Sequence, residues 1–147
     1  MKLSAVQDLE RKIEITRSQL ETLRTVATNI TSKLDGLPRA KAQTSKVEAV
    51  AVRIVDVENQ LAELCDELAD KSFLLADEIY RRVKGSACTV LFERYVMCKT
   101  FAQIATDMNY SEASIYYFHR RGKKEYERTD LNDKNHDNRR RNTGGTS

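Results

Sequence analysis

The sequence of 147 residues has few of the features on which small enzymes commonly depend. Only five glycines are present, and none of them forms a glycine-rich phosphate loop or a nucleophile elbow. The carboxylates lie mainly on the charged faces of predicted helices, and a solvated surface explains the i, i+4 pair Asp66 and Asp70. We therefore expect no enzymatic activity.

Cysteine and histidine are also scarce. The cysteines Cys65, Cys88 and Cys98 and the histidines His119 and His136 show no metal-ligand spacing. We interpret the cysteines as buried thiols in a reducing cytosol, although Cys88 and Cys98 could in principle meet in the fold. His119 is expected to be a polar neighbour or a phosphate contact on a helix. The sequence thus predicts no metal site and no cofactor.

Long apolar runs are absent. No stretch approaches the roughly 20 apolar residues of a membrane span, and the N-terminus lacks the layout of a signal peptide. The net charge is only +3, but residues 44–84 carry a net charge of −3 and residues 85–147 a net charge of +3. We expect a cytoplasmic protein with a modest basic excess in residues 85–147, where nucleic acid would bind.

Heptad repeats dominate the first half of the sequence. The first series places apolar residues at positions a and d, with one polar interruption: Val6, Leu9, Ile13, Thr16, Leu20, Leu23, Ala27, Ile30 and Leu34. Gly36 and Pro38 end this helix, so residues 35–43 are predicted to be a loop. A second helix is predicted from Ser45, and its heptad series breaks near residue 70. The two helices either fold back as an antiparallel hairpin or pair between chains, and we favour a hairpin that also self-associates.

Residues 100–121 contain the signals of two helices joined by a sharp turn. Thr100 and Gln103 have capping-box spacing. Asn109 tolerates a positive φ, and Ser111 is a favourable N-cap for the second helix. The residues predicted to pack between the two helices are Phe101, Ile104, Ala105, Met108, Ile115 and Phe118. This order predicts a helix-turn-helix whose second helix ends in basic residues.

Residues 86–127 resemble region 4 of bacterial RNA polymerase sigma factors, which reads the upstream promoter element. The stretches that carry the resemblance are Val90-Leu91-Phe92-Glu93-Arg94-Tyr95-Val96, Phe101-Ala102-Gln103-Ile104-Ala105, Tyr110-Ser111-Glu112 and His119-Arg120-Arg121-Gly122-Lys123-Lys124. The whole chain is similar to small phage and mobile-element proteins of Gram-positive bacteria that are called sigma-like or late-gene transcription regulators.

The resemblance implies a recognition helix over residues 111–124. The positions that would contact DNA bases are Glu112, Ala113, Tyr116 and Tyr117. The positions that would contact phosphates are Ser111, Arg120, Arg121, Lys123 and Lys124. Primary sigma factors favour arginine, glutamate and glutamine at the base-reading positions, so the alanine and tyrosines depart from that pattern and leave the recognised sequence open.

Three segments follow from these patterns. Residues 1–70 are predicted to be a coiled-coil helical hairpin, and residues 71–128 a DNA-binding helix-turn-helix domain. Residues 129–147 have no periodicity and are predicted to be a disordered basic tail, in which Arg139–Arg141 could add electrostatic attraction to nucleic acid.

The expected protein is therefore all-α, and the expected function is that of a sequence-specific, phage-encoded transcription regulator in the bacterial cytoplasm. It would bind double-stranded DNA, form a homodimer or higher oligomer through its coiled coil, and recruit the host RNA polymerase. One alternative is a phage terminase small subunit that recognises a packaging site as a ring. Another is a coiled-coil interaction protein that binds RNA polymerase or another protein rather than DNA.

Overall fold

The secondary structure is helical throughout the described residues. A computed structural model describes the backbone of residues 1–33 and 40–143 and the side chains of residues 1–31 and 45–143. The helices, in chain order, are α1 (Ala5–Lys33), α2 (Ala40–Arg82), α3 (Ser86–Leu91), a π-helical turn (Phe92–Val96), α4 (Phe101–Met108) and α5 (Glu112–Asn142). The expectation of an all-α protein is confirmed. None of the described helices is long and apolar enough to cross a membrane.

Two boundaries differ from those expected. α2 begins at Ala40 rather than near Ser45, so its first turn occupies part of the predicted loop. The predicted stop at Gly36 and Pro38 lies outside the described residues. The helix expected from about residue 87 to 98 is instead α3 followed by the π-helical turn.

The chain divides into two compact units. Asp8–Lys71 form the middle unit, and Met1–Gln7 together with Ser72–Ser147 form what we call the C-terminal unit. The division after Lys71 lies next to the expected boundary between residues 70 and 71. Residues 1–7, in contrast, belong to the C-terminal unit and not to the coiled-coil segment in which the sequence pattern places them. The reason is not local, since the Gln7 amide donates a hydrogen bond to the Arg94 carbonyl, 87 residues away.

The middle unit has a narrow apolar seam. On α1 the buried members are Leu9, Ile13, Thr16 and Leu20, and the Thr16 hydroxyl is satisfied by donation to the Lys12 carbonyl at 2.8 Å. The α2 heptad residues of this unit, from Val47 to Leu68, are only half-buried. Arg24 of α1 and Glu58 of α2 form an ion pair of 3.1 Å.

The C-terminal unit has a closed core. Its fully buried side chains include Leu75, Ile79, Leu91, Ile104 and Ile115, which come from α2, α3, α4 and α5. At Gly122 of α5, an added Cβ would lie 3.0 Å from Cγ of Leu91, so glycine permits the close approach of α3 and α5.

The π-helical turn connects this core to α4. The Met97 amide donates to the Phe92 carbonyl at 3.1 Å, and Cys98 then adopts a positive φ of 56°. Lys99 donates to Glu93 at 2.6 Å and to Asp107 of α4 at 3.0 Å, and these two hydrogen bonds raise the pKa of its ammonium group. The turn and the start of α4 are therefore held by side chains on both sides.

α5 is longer than the sequence predicts, because it continues to Asn142 through most of the segment expected to be disordered. Arg82 contacts Asp130 at 3.0 Å and stacks over the Tyr126 ring at 4.8 Å from its centroid, and Lys134 pairs with Asp130 one turn further on. These contacts explain the first part of the extension. From Leu131 onwards every described side chain is exposed.

The expectation of buried thiols is wrong for the cysteines. Cys65 and Cys88 are half-buried, Cys98 is exposed, and none of the three forms a disulfide in the described chain. Cys98 lies in the turn before α4 and has a positive φ of 56°. Burial, together with the nearby carboxylate of Glu125, raises the pKa of the Cys88 thiol, so it is protonated at neutral pH.

Candidate nucleic-acid interface

The start of α4 is fixed by a reciprocal cap. The Gln103 amide donates to the Thr100 hydroxyl at 3.2 Å, and the Thr100 amide donates to the Gln103 side chain at 3.0 Å. Two otherwise unpaired backbone N–H groups are thereby satisfied. The capping box expected from the sequence is confirmed.

The turn between α4 and α5 depends on Asn109. Its φ of 58° and ψ of 41° are left-handed, a conformation that asparagine tolerates better than most residues. The Tyr110 amide then donates to the Ala105 carbonyl at 3.0 Å. Ser111 caps α5, because its hydroxyl accepts from the Ser114 amide at 3.2 Å. Both local predictions, for Asn109 and for Ser111, are confirmed.

One side of α5 packs against α4 and α3. Ile115 is buried with Val90, Ile104 and Ala105, and the half-buried residues around this cluster are Phe101, Met108 and Phe118. The Tyr110 ring meets the Phe118 ring edge to face, with centroids 5.4 Å apart, and so covers the turn. This packing sets the rotation of α5 and leaves its other side facing solvent.

Most of the predicted contact residues lie on the solvent side of α5. The exposed ones are Ser111, Glu112, Ala113, Tyr116, Tyr117, Arg120, Arg121 and Lys124. One surface depression is lined by four of the predicted contact residues, Tyr117, Arg120, Arg121 and Lys124, together with Glu125 and Arg128, which were not predicted. We call the cationic members of this set, Arg120, Arg121, Lys124 and Arg128, the basic face.

Arg128 could have been found from spacing alone. It follows Lys124 by four residues and Arg121 by seven, so all three share one side of a helix if the helix continues. The predicted recognition helix ends at residue 124, so Arg128 falls outside the predicted contacts. The basic face extends from Arg120 to Arg128, eight residue steps or about 12 Å along the axis at 1.5 Å per residue.

Lys123 is the predicted residue that the structure separates from the others. Its side chain is half-buried and lines a different depression, beside Met1, Tyr95 and Tyr126. The reason is the 100° rotation between successive residues of a helix, which turns Lys123 away from Lys124. Because most of its surface is covered, Lys123 is poorly placed to join the basic face.

The two tyrosines differ in their freedom. The Tyr116 ring packs on the Phe101 ring with centroids 4.7 Å apart, whereas Tyr117 contacts only the ring of its neighbour Phe118, at 5.7 Å. Tyr116 is therefore braced against α4, and Tyr117 projects further into solvent. A braced aromatic side chain loses less conformational entropy when it contacts a ligand.

His119 lies behind this surface rather than on it. Its Nε2 is 2.7 Å from the Tyr95 hydroxyl, and its ring stacks on Tyr95 and meets Phe101 edge to face. Burial, with smaller contributions from Lys123 and Arg94, lowers the pKa of the imidazole. The neutral ring positions α5 against the π-helical turn, and of its two expected roles only that of a polar neighbour fits.

The described residues contain no group of three His, Cys, Asp or Glu side chains arranged to hold a metal ion. Comparisons with protein-family models, with curated proteins and with solved structures give no match to this chain. The interface is therefore interpreted from its own geometry.

Proposed function

We propose that this protein is a sequence-specific DNA-binding transcription regulator in which α4, the Asn109 turn and α5 form a sigma region 4-like helix-turn-helix. The observation that carries the proposal is the division of α5 into two sides. Ile115 and Gly122 anchor one side in the core, while the other presents exposed polar, aromatic and basic side chains. A helix of this kind suits a major groove that is flanked by phosphates.

The proposed contacts follow the order of residues along α5. Near its start, Glu112 would accept a hydrogen bond from a cytosine amino group, and Ala113 would touch a thymine methyl group. Tyr116 and Tyr117 would contact base edges or the nearby backbone. Ser111 and the N-terminus of α5 would bind a phosphate, because the helix dipole and free N–H groups favour an anion there.

The basic face would bind the phosphates beside the groove. Its four cations lie within about 12 Å of helix and share their depression with a single carboxylate, Glu125. Each phosphate that a cation neutralises adds affinity and salt dependence without reading sequence. Arg128 is included in this role because it lines the same depression, and Lys123 is left out because it lines a different one.

The middle unit is proposed to be an antiparallel coiled-coil hairpin that self-associates. Arg24 pairs with Glu58. The pKa of Glu67, further on along α2, is lowered mainly by the hydrogen bond and charge of Lys71, with a smaller contribution from Lys12, which lies before Arg24 on α1. The earlier residue of α1 thus lies near the later residue of α2, and this order indicates that the two helices are antiparallel. A dimer would double the contacts of a small DNA-binding module and so increase its affinity.

The regulatory role is taken from the sigma-factor resemblance. The resemblance covers region 4, which reads a promoter element, and we do not propose that this protein opens promoters. It would bind near a phage late-gene promoter in the bacterial cytoplasm and recruit or modify the host RNA polymerase.

The test is salt-dependent binding to DNA fragments from the protein's own genetic neighbourhood, with unrelated DNA as competitor. Saturable binding to one fragment near physiological salt is the expected result. Arg120→Ala/Arg121→Ala should reduce the slope of log K against log salt by about 2, one unit for each lost phosphate contact. Arg17→Ala/Arg81→Ala removes the same charge from exposed positions outside α5 and should leave the slope unchanged.

Binding that is equal on all fragments and lost at moderate salt would contradict the proposal. A ring of many subunits bound to one fragment would instead favour the packaging role of a terminase small subunit, and the mass of the complex distinguishes the two.

A protein-binding function is the second candidate, and exposed aromatic residues on α2 favour it. Phe73 and Tyr80 are 79% and 73% exposed, lie seven residues apart on the same side of the helix, and have the exposed Leu74 beside them. Apolar surface of this kind often marks a protein contact. Phe73→Ala/Tyr80→Ala should abolish binding to RNA polymerase or another protein under this reading, while Arg120→Ala/Arg121→Ala should not affect it.

A further inference from the structure

A groove runs along one side of the middle unit. Two adjoining depressions of about 900 and 440 Å³ lie between α1 and α2, and both include Ile15 and Gln19, so they form one continuous trough. Its apolar lining comes from Ile15, Leu23, Val57 and Leu64. We call this trough the hairpin groove.

Ile15 is the exposed apolar residue of the groove. It is 60% exposed, although Leu23, Val57 and Leu64 around it are half-buried. An apolar side chain exposed among half-buried ones leaves surface that a second element would remove from water, which is favourable. The question is which partner fits the groove.

The charges at the two edges of the groove differ in sign. The α1 edge carries two cations and one carboxylate, namely Arg11, Lys12 and Glu14. The α2 edge carries three carboxylates and one cation, namely Asp56, Glu63, Glu67 and Arg53. A uniformly basic or acidic partner would be repelled at one edge, whereas a partner with the same two edges in exchanged positions would be attracted at both.

We propose that a second copy of this chain docks in the hairpin groove, with α1 of each copy lying against α2 of the other. A two-fold axis parallel to the helices places the α1 edge of each copy opposite the α2 edge of the other. It leaves the height of every residue along the helix axis unchanged. Lys12 of one copy then meets Glu63 and Glu67 of the other, because Lys12 and Glu67 already lie at one level within a single chain. The two Ile15 side chains enter a shared apolar interior.

The alternative two-fold arrangement is less favourable. An axis perpendicular to the helices would place α1 on α1 and α2 on α2. The carboxylates of the two α2 edges would then face each other, and like charges in contact weaken an interface. The inference rests on the hairpin of the proposed function, but not on DNA binding.

The first experiment is sedimentation equilibrium of the full chain without DNA. The wild-type protein should be a dimer, and Ile15→Glu should raise the dimer Kd by on the order of 100-fold, since it buries a charge in the centre of the interface. Val52→Glu is the matched control, because Val52 is 61% exposed on α2 and does not line the groove. It should change Kd by less than about 2-fold.

A charge exchange tests the orientation. Lys12→Glu and Glu63→Lys should each weaken the dimer by about 5-fold or more at low salt, and the double variant should recover most of the loss. Both residues are exposed, so the far-UV circular dichroism of every variant should match that of the wild-type protein.

A protein that is monomeric at all concentrations, equal weakening by Ile15→Glu and Val52→Glu, or no recovery in the double variant would each overturn the inference. Failure of the proposed function is separable from these outcomes. A dimer that is weakened by Ile15→Glu but binds no DNA fragment would support docking in the hairpin groove and contradict the proposed function. A monomer that binds one fragment would contradict the docking and support the proposed function.

Discussion

The two units of this protein bury their apolar residues in different ways. In the C-terminal unit, helices from four parts of the chain converge, and Leu75, Ile79, Leu91, Ile104 and Ile115 lose all contact with solvent. In the middle unit two helices share one seam, and its α2 side is only half-buried. Two helices can cover each other on one side at most, whereas a third and fourth helix close the core.

The closed core of one unit stabilises the fold, whereas the open seam of the other unit leaves a surface for a second chain. The C-terminal unit closes its core within the chain, although Phe73, Leu74 and Tyr80 of α2 stay exposed. The outward side of α5 is polar and basic. The middle unit has no closed core, and it leaves Ile15 60% exposed among the half-buried apolar residues of the hairpin groove. In the proposed dimer a second chain removes Ile15 from water, so the unit without a closed core is the one that would self-associate.

The largest effect is expected when equivalent truncations are made in the two units. Ile104→Ala should lower the free energy of unfolding by about 3 kcal/mol, because the side chain is fully buried and its cavity cannot collapse. Leu64→Ala, on the half-buried seam, should cost about 1 kcal/mol. Urea unfolding followed by circular dichroism measures both, and equal losses would show that the two units do not differ in this way.

Gly122→Ala sharpens the comparison within the closed core. Helix propensity alone favours alanine by about 1 kcal/mol. Here the new Cβ would lie 3.0 Å from Cγ of the fully buried Leu91 and 3.3 Å from Cβ of Ala87, so we expect a net loss of roughly 1–2 kcal/mol. Asn135→Ala, on the exposed part of α5, should instead stabilise slightly. Stabilisation by both substitutions would mean that α3 and α5 approach less closely than described.

The Asn109 turn is the next test, since it sets the angle between α4 and α5. Asn109→Val should cost about 1–2 kcal/mol, because a β-branched residue is strained at a φ of 58°. Asn109→Gly should be neutral or stabilising at the same position. Thermal unfolding of the two variants provides the comparison, and a valine variant as stable as the glycine variant would exclude a left-handed turn.

The smallest expected effect concerns pH. Because the folded protein lowers the pKa of His119, the stability contributed by its neutral ring is fully present above the unfolded pKa of about 6.5. It is lost progressively as the pH falls below that value, until the folded pKa is passed. His119→Gln should reduce the loss of stability between pH 7.5 and 5. The same pH dependence in wild type and variant would assign it to other groups.

Features of the interface that depend on neighbouring residues were predicted from the sequence, whereas contacts between distant residues were not. The Thr100 cap, the Asn109 turn and the Ser111 cap each depend on residues within four positions of one another, and all three were readable. The side on which Lys123 lies was also readable in principle, since the core residues Ile115 and Phe118 fix the rotation of the helix.

Contacts between distant residues could not be read in the same way. The hydrogen bond from Gln7 to Arg94 joins residues 1–7 to the C-terminal unit. The ion pair of Arg82 with Asp130 stabilises the extension of α5. No short pattern indicates either pair, because each joins residues that are brought together only by the fold. The exposure of Cys98 likewise follows from a backbone turn that its neighbours in sequence do not specify.

The anchors of α5 limit how its length can change during evolution. Ile115 and Tyr126 are both buried and lie eleven residues apart, close to three full turns, with three members of the basic face between them. Inserting or deleting one residue in this interval would rotate one anchor by about 100° relative to the other and expose it. Substitutions at Arg120, Arg121 or Lys124 leave the anchors in place. Homologues are therefore expected to vary the identity of these residues while keeping the number of residues between Ile115 and Tyr126 constant.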